Sequence, residues 1–176
     1  MSTLKTTNIQ HPSAASPAVE LTAAGGLWLG GGKVLQTVTN TYSTSTAIAS
    51  TTYTDTGASI TITPSSATSK ILFSAQITCQ IDSTTTDDTY GYMRLMRDGS
   101  EVIDYGFIMR QRGALGVGSV VVLMTTSPIT YLDSPATTSA VTYSLQAKVN
   151  NTASSRKITA QYAGSPTVMF AQEVSA

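Results

Sequence analysis

Residues 70–81, KILFSAQITCQI, alternate with a period of two. Ile71, Phe73, Ala75, Ile77, Cys79 and Ile81 fall on one side of an extended backbone. Ser74, Gln76, Thr78 and Gln80 fall on the other, with Leu72 the one apolar exception. Successive side chains of a strand point to opposite faces, so the pattern predicts a long strand with one buried and one polar face. No helical wheel gathers the same six residues into one stripe. A strand this one-sided needs a second layer to cover it, which directs the chain toward a sandwich or barrel.

The sequence on either side reads as strand after strand. Residues 33–42 come first, with Val34 and Val38 expected on one side, followed by 47–54 and 58–63 around a turn at Asp55-Thr56-Gly57. Pro64 closes that pair, and residues 82–88 form a polar loop after the central strand. Residues 90–97 and 101–107 flank Asp98-Gly99, a strong hairpin signal. Residues 113–118 are a glycine-rich linker. The apolar run at 119–126 suits a strand covered on both faces, with a short separate piece at 129–133. Residues 140–149 alternate again, with Val141, Tyr143, Leu145, Ala147 and Val149 facing one way. After a turn at Asn150-Asn151, strands at 157–162 and 167–174 finish the chain. Roughly nine or ten strands with turn signals between them predict an all-β, jelly-roll-like β-sandwich.

Residues 1–32 follow different rules. His11-Pro12 through Ser16-Pro17 sustains neither a helix nor a central strand, whereas residues 18–22 form a short alternating piece that suits a sheet edge. Gly25-Gly26 and Gly30-Gly31-Gly32 bracket Leu27-Trp28-Leu29, which has no partner of its own to bury against. The division is therefore an extended N-terminal arm, 1–32, that docks on something else such as a neighbouring subunit, and a β-sandwich head, 33–176.

Charged residues are only 11% of the chain and the formal net charge is zero, while Ser and Thr make up roughly three residues in ten. Without clustered Lys and Arg, nucleic acid is excluded as the main partner and electrostatic membrane attachment is weakened. No run has the length of a bilayer span or of a signal-peptide core, so no membrane insertion is expected and folding is expected in a cytosol. The single cysteine, Cys79, excludes an internal disulfide framework and reads as an inert core side chain.

The search for chemistry finds little. His11, the only histidine, sits in the arm and reads as a polar contact there, not as a triad member. Asp82, Asp87 and Asp88 lack the alternating oxygen ligands of a calcium loop and read as a solvated acidic loop. Gly113, Gly116 and Gly118 precede no helix pattern, so they make no phosphate cradle. Tyr90, Tyr92, Arg94, Tyr105 and Arg110 form an aromatic-basic cluster suggesting a receptor or glycan surface. Asp98, Glu101 and Asp104 balance its charge, which favours ordinary sheet-surface or inter-subunit contacts. A polysaccharide hydrolase would need paired carboxylates across a cleft, and nothing places two of Asp87, Asp88, Glu101 and Asp104 that way. No cofactor or metal is implied.

Several blocks resemble one family. LKTTNIQHPSAASPAVEL (4–21) is similar to the N-terminal segment of virion structural proteins of tailed phages, especially those infecting cyanobacteria and other marine bacteria. GKVLQ (32–36), YTDTGASITITPSS (53–66) and SKIL (69–72) resemble the body that follows it, as do DSPATTSAVTYSLQ (133–146) and the closing QEVSA (172–176). The resemblance implies a non-enzymatic virion protein, a short tail fibre or tail-associated appendage made in the host bacterial cytoplasm. Its arm would dock on other virion proteins through Leu4, Asn8, Ile9, His11, Pro12, Pro17, Val19, Leu21 and Trp28. Its head would resemble the homotrimeric jelly rolls of the C1q and tumour-necrosis-factor type and contact a host surface glycan or protein. A head decoration protein and a carbohydrate-binding module are the alternatives.

Overall fold

A computed structural model describes residues 8–9, 19–21, 27–29, 32–83, 88–111 and 121–175. In the N-terminal part, β1 (Asn8–Ile9), β2 (Val19–Leu21) and β3 (Leu27–Leu29) pair antiparallel, with Glu20 opposite both Asn8 and Trp28. Ten further strands follow among the described residues: β4 (Val34–Tyr42), β5 (Thr46–Ile48), β6 (Thr54–Ile62), β7 (Lys70–Ser83), β8 (Thr89–Arg97), β9 (Ser100–Gln111), β10 (Val121–Asp133), β11 (Val141–Val149), β12 (Lys157–Ala160) and β13 (Thr167–Val174). They form two antiparallel sheets packed as a jelly-roll-like β-sandwich.

The alternating stretch is the centre of the first sheet. β10 runs along one whole side of β7, from Val121 opposite Ser83 to Asp133 opposite Ile71. The other side is shared, β13 taking Lys70 to Gln76 and β12 taking Cys79 to Asp82. β4 pairs beyond β13 and β5 beyond β12, which makes six strands. The second sheet has four strands in the order β6-β11-β8-β9.

Period-two patterning fixes which face is inward, because a one-residue slip would invert every side chain. Ile71, Phe73, Ala75, Ile77, Cys79 and Ile81 are all buried, in one core with Ile60, Ile62, Met93, Leu95, Tyr143, Leu145 and Ala147 of the four-stranded sheet. The Phe73 and Tyr143 rings meet at 5.6 Å between centroids. Burial pushes the Cys79 thiol up to about 12, so it stays a protonated core side chain.

Two buried carboxylates join distant parts of the chain. Asp133, at the end of β10, accepts hydrogen bonds from Arg97 of β8 and, at 2.7 Å, from the Tyr143 hydroxyl of β11. Glu173 of β13 accepts from the Gln36 side chain at 2.7 Å and from the backbone and hydroxyl of Ser65 at 2.8 and 2.7 Å. Side chains also close the two open sides of the sandwich. Gln36 and Asn40 of β4 donate to the Thr63 and Ser59 carbonyls at 2.7 Å, and the Tyr105 hydroxyl of β9 donates to the Thr130 carbonyl of β10 at 3.1 Å.

Several sequence expectations change. Asp55-Thr56-Gly57 is not a turn between two strands but a bulge inside β6. The register moves from Ser59 opposite Ser144 to Asp55 opposite Gln146, and Gly57 takes φ +83° while its N–H bonds Asp55 Oδ1 at 2.8 Å. The pieces expected at 119–126 and 129–133 form one strand through Pro128. Among the described residues β10 pairs only with β7, so an edge strand accommodates the missing N–H. That strand is not covered on both faces, since Met124 is 55% exposed. A register shift between Glu173 and Val174 breaks alternation in β4, so Val34 is exposed while Val38 packs on the core. The glycine-rich linker at 113–118 lies outside the described residues.

Burial opposes the charge on Glu173, yet hydrogen bonds from Gln36, Ser65 and Ser69 outweigh it and lower its pKa from 4.5 to about 2. A depressed carboxylate stabilises the fold above its ordinary pKa, and that stability is lost as pH falls from 4.5 toward 2. Glu173→Gln is expected to flatten this acid limb and to cost about 1–3 kcal/mol at neutral pH, as measured by denaturant unfolding across that range. At Gly57 a Cβ would land within 2.7 Å of the Tyr42 ring, and the positive φ adds backbone strain. Gly57→Ala should cost about 1–3 kcal/mol, read as a lowered Tm with an unchanged strand signature in circular dichroism.

Candidate functional site

The outer face of the four-stranded sheet follows from what its inner face buries. Gly91, Met93 and Leu95 point inward from β8, so Tyr90, Tyr92 and Arg94 point outward. Tyr143, Leu145 and Ala147 point inward from β11, leaving Gln146 and Lys148 outward. Register then sets the rows: Lys148 opposite Tyr92 and Tyr92 opposite Phe107, with Gln146 opposite Arg94 and Arg94 opposite Asp104. Tyr90 lies opposite Arg110.

β9 reaches this arrangement by bulging. Its twelve residues run beside the nine of β8, and the register shifts three times, leaving an extra residue near Val102, at Tyr105–Gly106 and near Ile108. At the middle bulge Gly106 adopts φ +69° and its N–H bonds Asp104 Oδ1 at 2.7 Å. The inserted residue lets both Asp104 and Phe107 remain on the outer face and turns Tyr105 toward the core side, where burial pushes its phenol up to about 12.

The outer face gathers aromatic rings and charges of both signs. Phe107 is 57% exposed and stands edge-on to Tyr90 at 5.4 Å and to Tyr92 at 6.5 Å. The Lys148 ammonium lies 4.4 Å from the Tyr53 ring centroid and 5.2 Å from that of Tyr92. The Arg94 guanidinium lies 4.3 Å from the Tyr53 centroid, and that of Arg110 lies 5.3 Å from the Tyr90 centroid. Tyr53 reaches across the sheet to donate to Asp104 at 2.7 Å; burial and then this bond raise its phenol pKa well above the ordinary range.

Charges here are mostly paired. Arg94 holds Glu101 at 2.9 Å and donates to the Gln146 side-chain oxygen Oε1 at 3.0 and 2.7 Å. Arg110 pairs with Asp88. Asp82 pairs elsewhere, with Lys157 at 3.2 Å. The acids a hydrolase would need are thus bound up: Asp88 and Glu101 in ion pairs and Asp104 in two hydrogen bonds, while Asp87 lies outside the described residues. Among the described residues no group of His, Cys, Asp or Glu is placed to hold a metal. What this surface presents is ring faces, guanidinium and ammonium groups stacked on them, and amides.

Of the five residues expected to form a surface, Tyr90, Tyr92, Arg94 and Arg110 share this face. Tyr105 does not: it closes the side of the sandwich against Thr130. Tyr53, Phe107 and Lys148 join the face without having been anticipated. The polar side of the 140–149 alternation marks Lys148 as outward, but no local signal brings Tyr53 beside it, because that contact depends on the pairing of β6 with β11. In the arm, Leu4, His11, Pro12 and Pro17 lie outside the described residues, and Asn8, Ile9, Val19, Leu21 and Trp28 fall in the short strands β1 to β3.

No protein-family model matches the sequence, and no curated protein matches it. Among solved structures, the VP2 subviral particle of infectious bursal disease virus is similar at TM-score 0.31 and 13% identity, over 81% of this chain and 38% of that one. The Gt strain of the same virus is similar at TM-score 0.34 and 12% identity, over 95% and 47%. The chain therefore spans less than half the length of these neighbours, and a likeness this slight adds nothing to the strand pairing itself.

Tyr105→Phe is expected to cost about 0.5–1.5 kcal/mol through loss of the bond to the Thr130 carbonyl. Denaturant unfolding checks the cost, and unchanged ring resonances of Tyr92 and Phe107 would check that the outer face is independent of it.

Proposed function

We propose that this chain is a non-enzymatic structural component of a tailed-phage virion, a short tail fibre or tail-associated appendage. In this reading residues 1–32 dock on other virion proteins, and residues 33–176 form a head displayed for host attachment. The chain is assembled as a homotrimer in the host bacterial cytoplasm. The observation that carries the reading is that β1 to β3 pair with one another while β4 to β13 form the two sheets of the sandwich. The resemblance of residues 4–21 and of the body blocks to tailed-phage virion proteins supports the same division.

The chemistry of the outer face agrees with display rather than turnover. Its acids Glu101, Asp88 and Asp104 are held by Arg94, Arg110 and Tyr53 respectively. A tail location is favoured over a head decoration because an arm followed by a single head suits an appendage that projects.

A cryo-EM map of the phage that carries this chain is expected to place the head at the tail with three copies around one axis. Deleting residues 1–32 should leave a folded head that no longer incorporates into particles. A protein that is monomeric by light scattering and absent from purified particles would overturn the reading. Density on the capsid surface would replace the tail assignment with a head decoration role.

A further inference from the structure

We propose that the row formed by Tyr53, Lys148, Tyr92 and Phe107 is a binding site for an acidic pyranoside, a sugar ring bearing a carboxylate. As a host contact it rests on the reading above; as a binding site it rests on geometry alone. The four side chains come from the residue just before β6 and from β11, β8 and β9, so the row crosses the full width of the sheet.

Two observations define the ligand. The first is Phe107, the most exposed large apolar side chain among the described residues, held upright by edge-on contacts with Tyr90 and Tyr92. A ring fixed this way offers an open face at little entropic cost, and the axial C–H groups of a pyranose fit such a face. The second is Lys148. Arg94 and Arg110 are each paired with a carboxylate, whereas the Lys148 ammonium is held between the Tyr53 and Tyr92 rings and makes no ion pair among the described residues. Among the described residues it is the cation of this face that an incoming anion can pair with. Tyr92 lies between Lys148 and Phe107, 5.2 Å from the ammonium and 6.5 Å from the Phe107 ring, so the stacking face and the charge stand in one row that consecutive acidic sugars of an oligosaccharide can follow. A carboxylate reaching Lys148 makes a charge-assisted hydrogen bond, while the neighbouring paired arginines leave no room for a polyanion such as nucleic acid to gain by many contacts.

The test is titration of the full chain with a galacturonate oligosaccharide and with its neutral galactose counterpart, followed by calorimetry and by NMR of the tyrosine and phenylalanine rings. The acidic sugar should bind more tightly than the neutral one, with shifts confined to Tyr53, Tyr92 and Phe107. Lys148→Gln should remove that preference, weakening the acidic sugar by about tenfold or more and leaving the neutral one as before. Phe107→Ala should weaken both, and its exposure makes it tolerable to the fold, which thermal unfolding checks. Equal binding of the two sugars, no binding of either, or Lys148→Gln binding as the parent does would overturn the proposal. Failure here with the protein still present in particles leaves the virion role standing; binding here by a protein absent from particles does the reverse.

Discussion

The hydrogen-bonded pairing of β7 is the constraint on which the other elements depend. Each strand of the six-stranded sheet either pairs with β7 directly, as β10, β12 and β13 do, or pairs with a strand that does, as β4 and β5 do. The same backbone delivers Ile71, Phe73, Ile77 and Ile81 to the core, all of them fully buried. Each is worth about 1.5–3 kcal/mol of apolar burial against a net stability of about 5–15 kcal/mol for a domain. Register and burial are therefore one requirement: a slip along β7 would expose the core row and move its three partner strands at once.

From that centre the two outer faces diverge. Beyond the six-stranded sheet, Ser74, Gln76 and Thr78 of β7 adjoin Thr126 and Thr130 of β10, and Thr78 bonds Thr126 at 3.0 Å. Short hydroxyl and amide side chains there alternate with exposed Met124, Leu132 and Phe170. The four-stranded sheet instead stacks rings against guanidinium and ammonium groups. Because the sheets share one core, the inward rows of β8 and β11 settle which rings are presented outside.

How much of this was legible depends on the range of the interaction. Alternation at 70–81 and 141–149 needs only neighbours two apart, so the central strand, the inert Cys79 and the outward parity of Lys148 all follow from sequence. Bulges do not. Asp55-Thr56-Gly57 encodes an Asx turn with a positive-φ glycine, and that local geometry serves a hairpin turn and an in-strand bulge equally. The partner strand β11, nearly ninety residues away in the chain as Thr56 and Leu145 are, decides between them. Tyr105 was misplaced for the same reason. Parity counted from Asp104 or Phe107 fails when an extra residue intervenes, and only the register against β8 reveals it. Pro128 likewise looked like a break because sequence does not say which strands lie at an edge.

The bulges of β9 connect edge protection with the candidate site. β9 is an outer strand of its sheet, and an unbroken outer strand is a template for pairing with another chain. Three register shifts interrupt that template by bending and twisting the strand. The middle one also reverses Tyr105, whose hydroxyl then ties the edge to β10, and sets Phe107 upright beside Tyr92. A regular β9 would keep strict alternation, so Asp104 and Phe107, three residues apart, would fall on opposite faces. The row from Tyr53 to Phe107 then loses its exposed ring, and the sheet regains an open edge. The irregularity that makes this strand hardest to read from sequence is the one that shapes the surface.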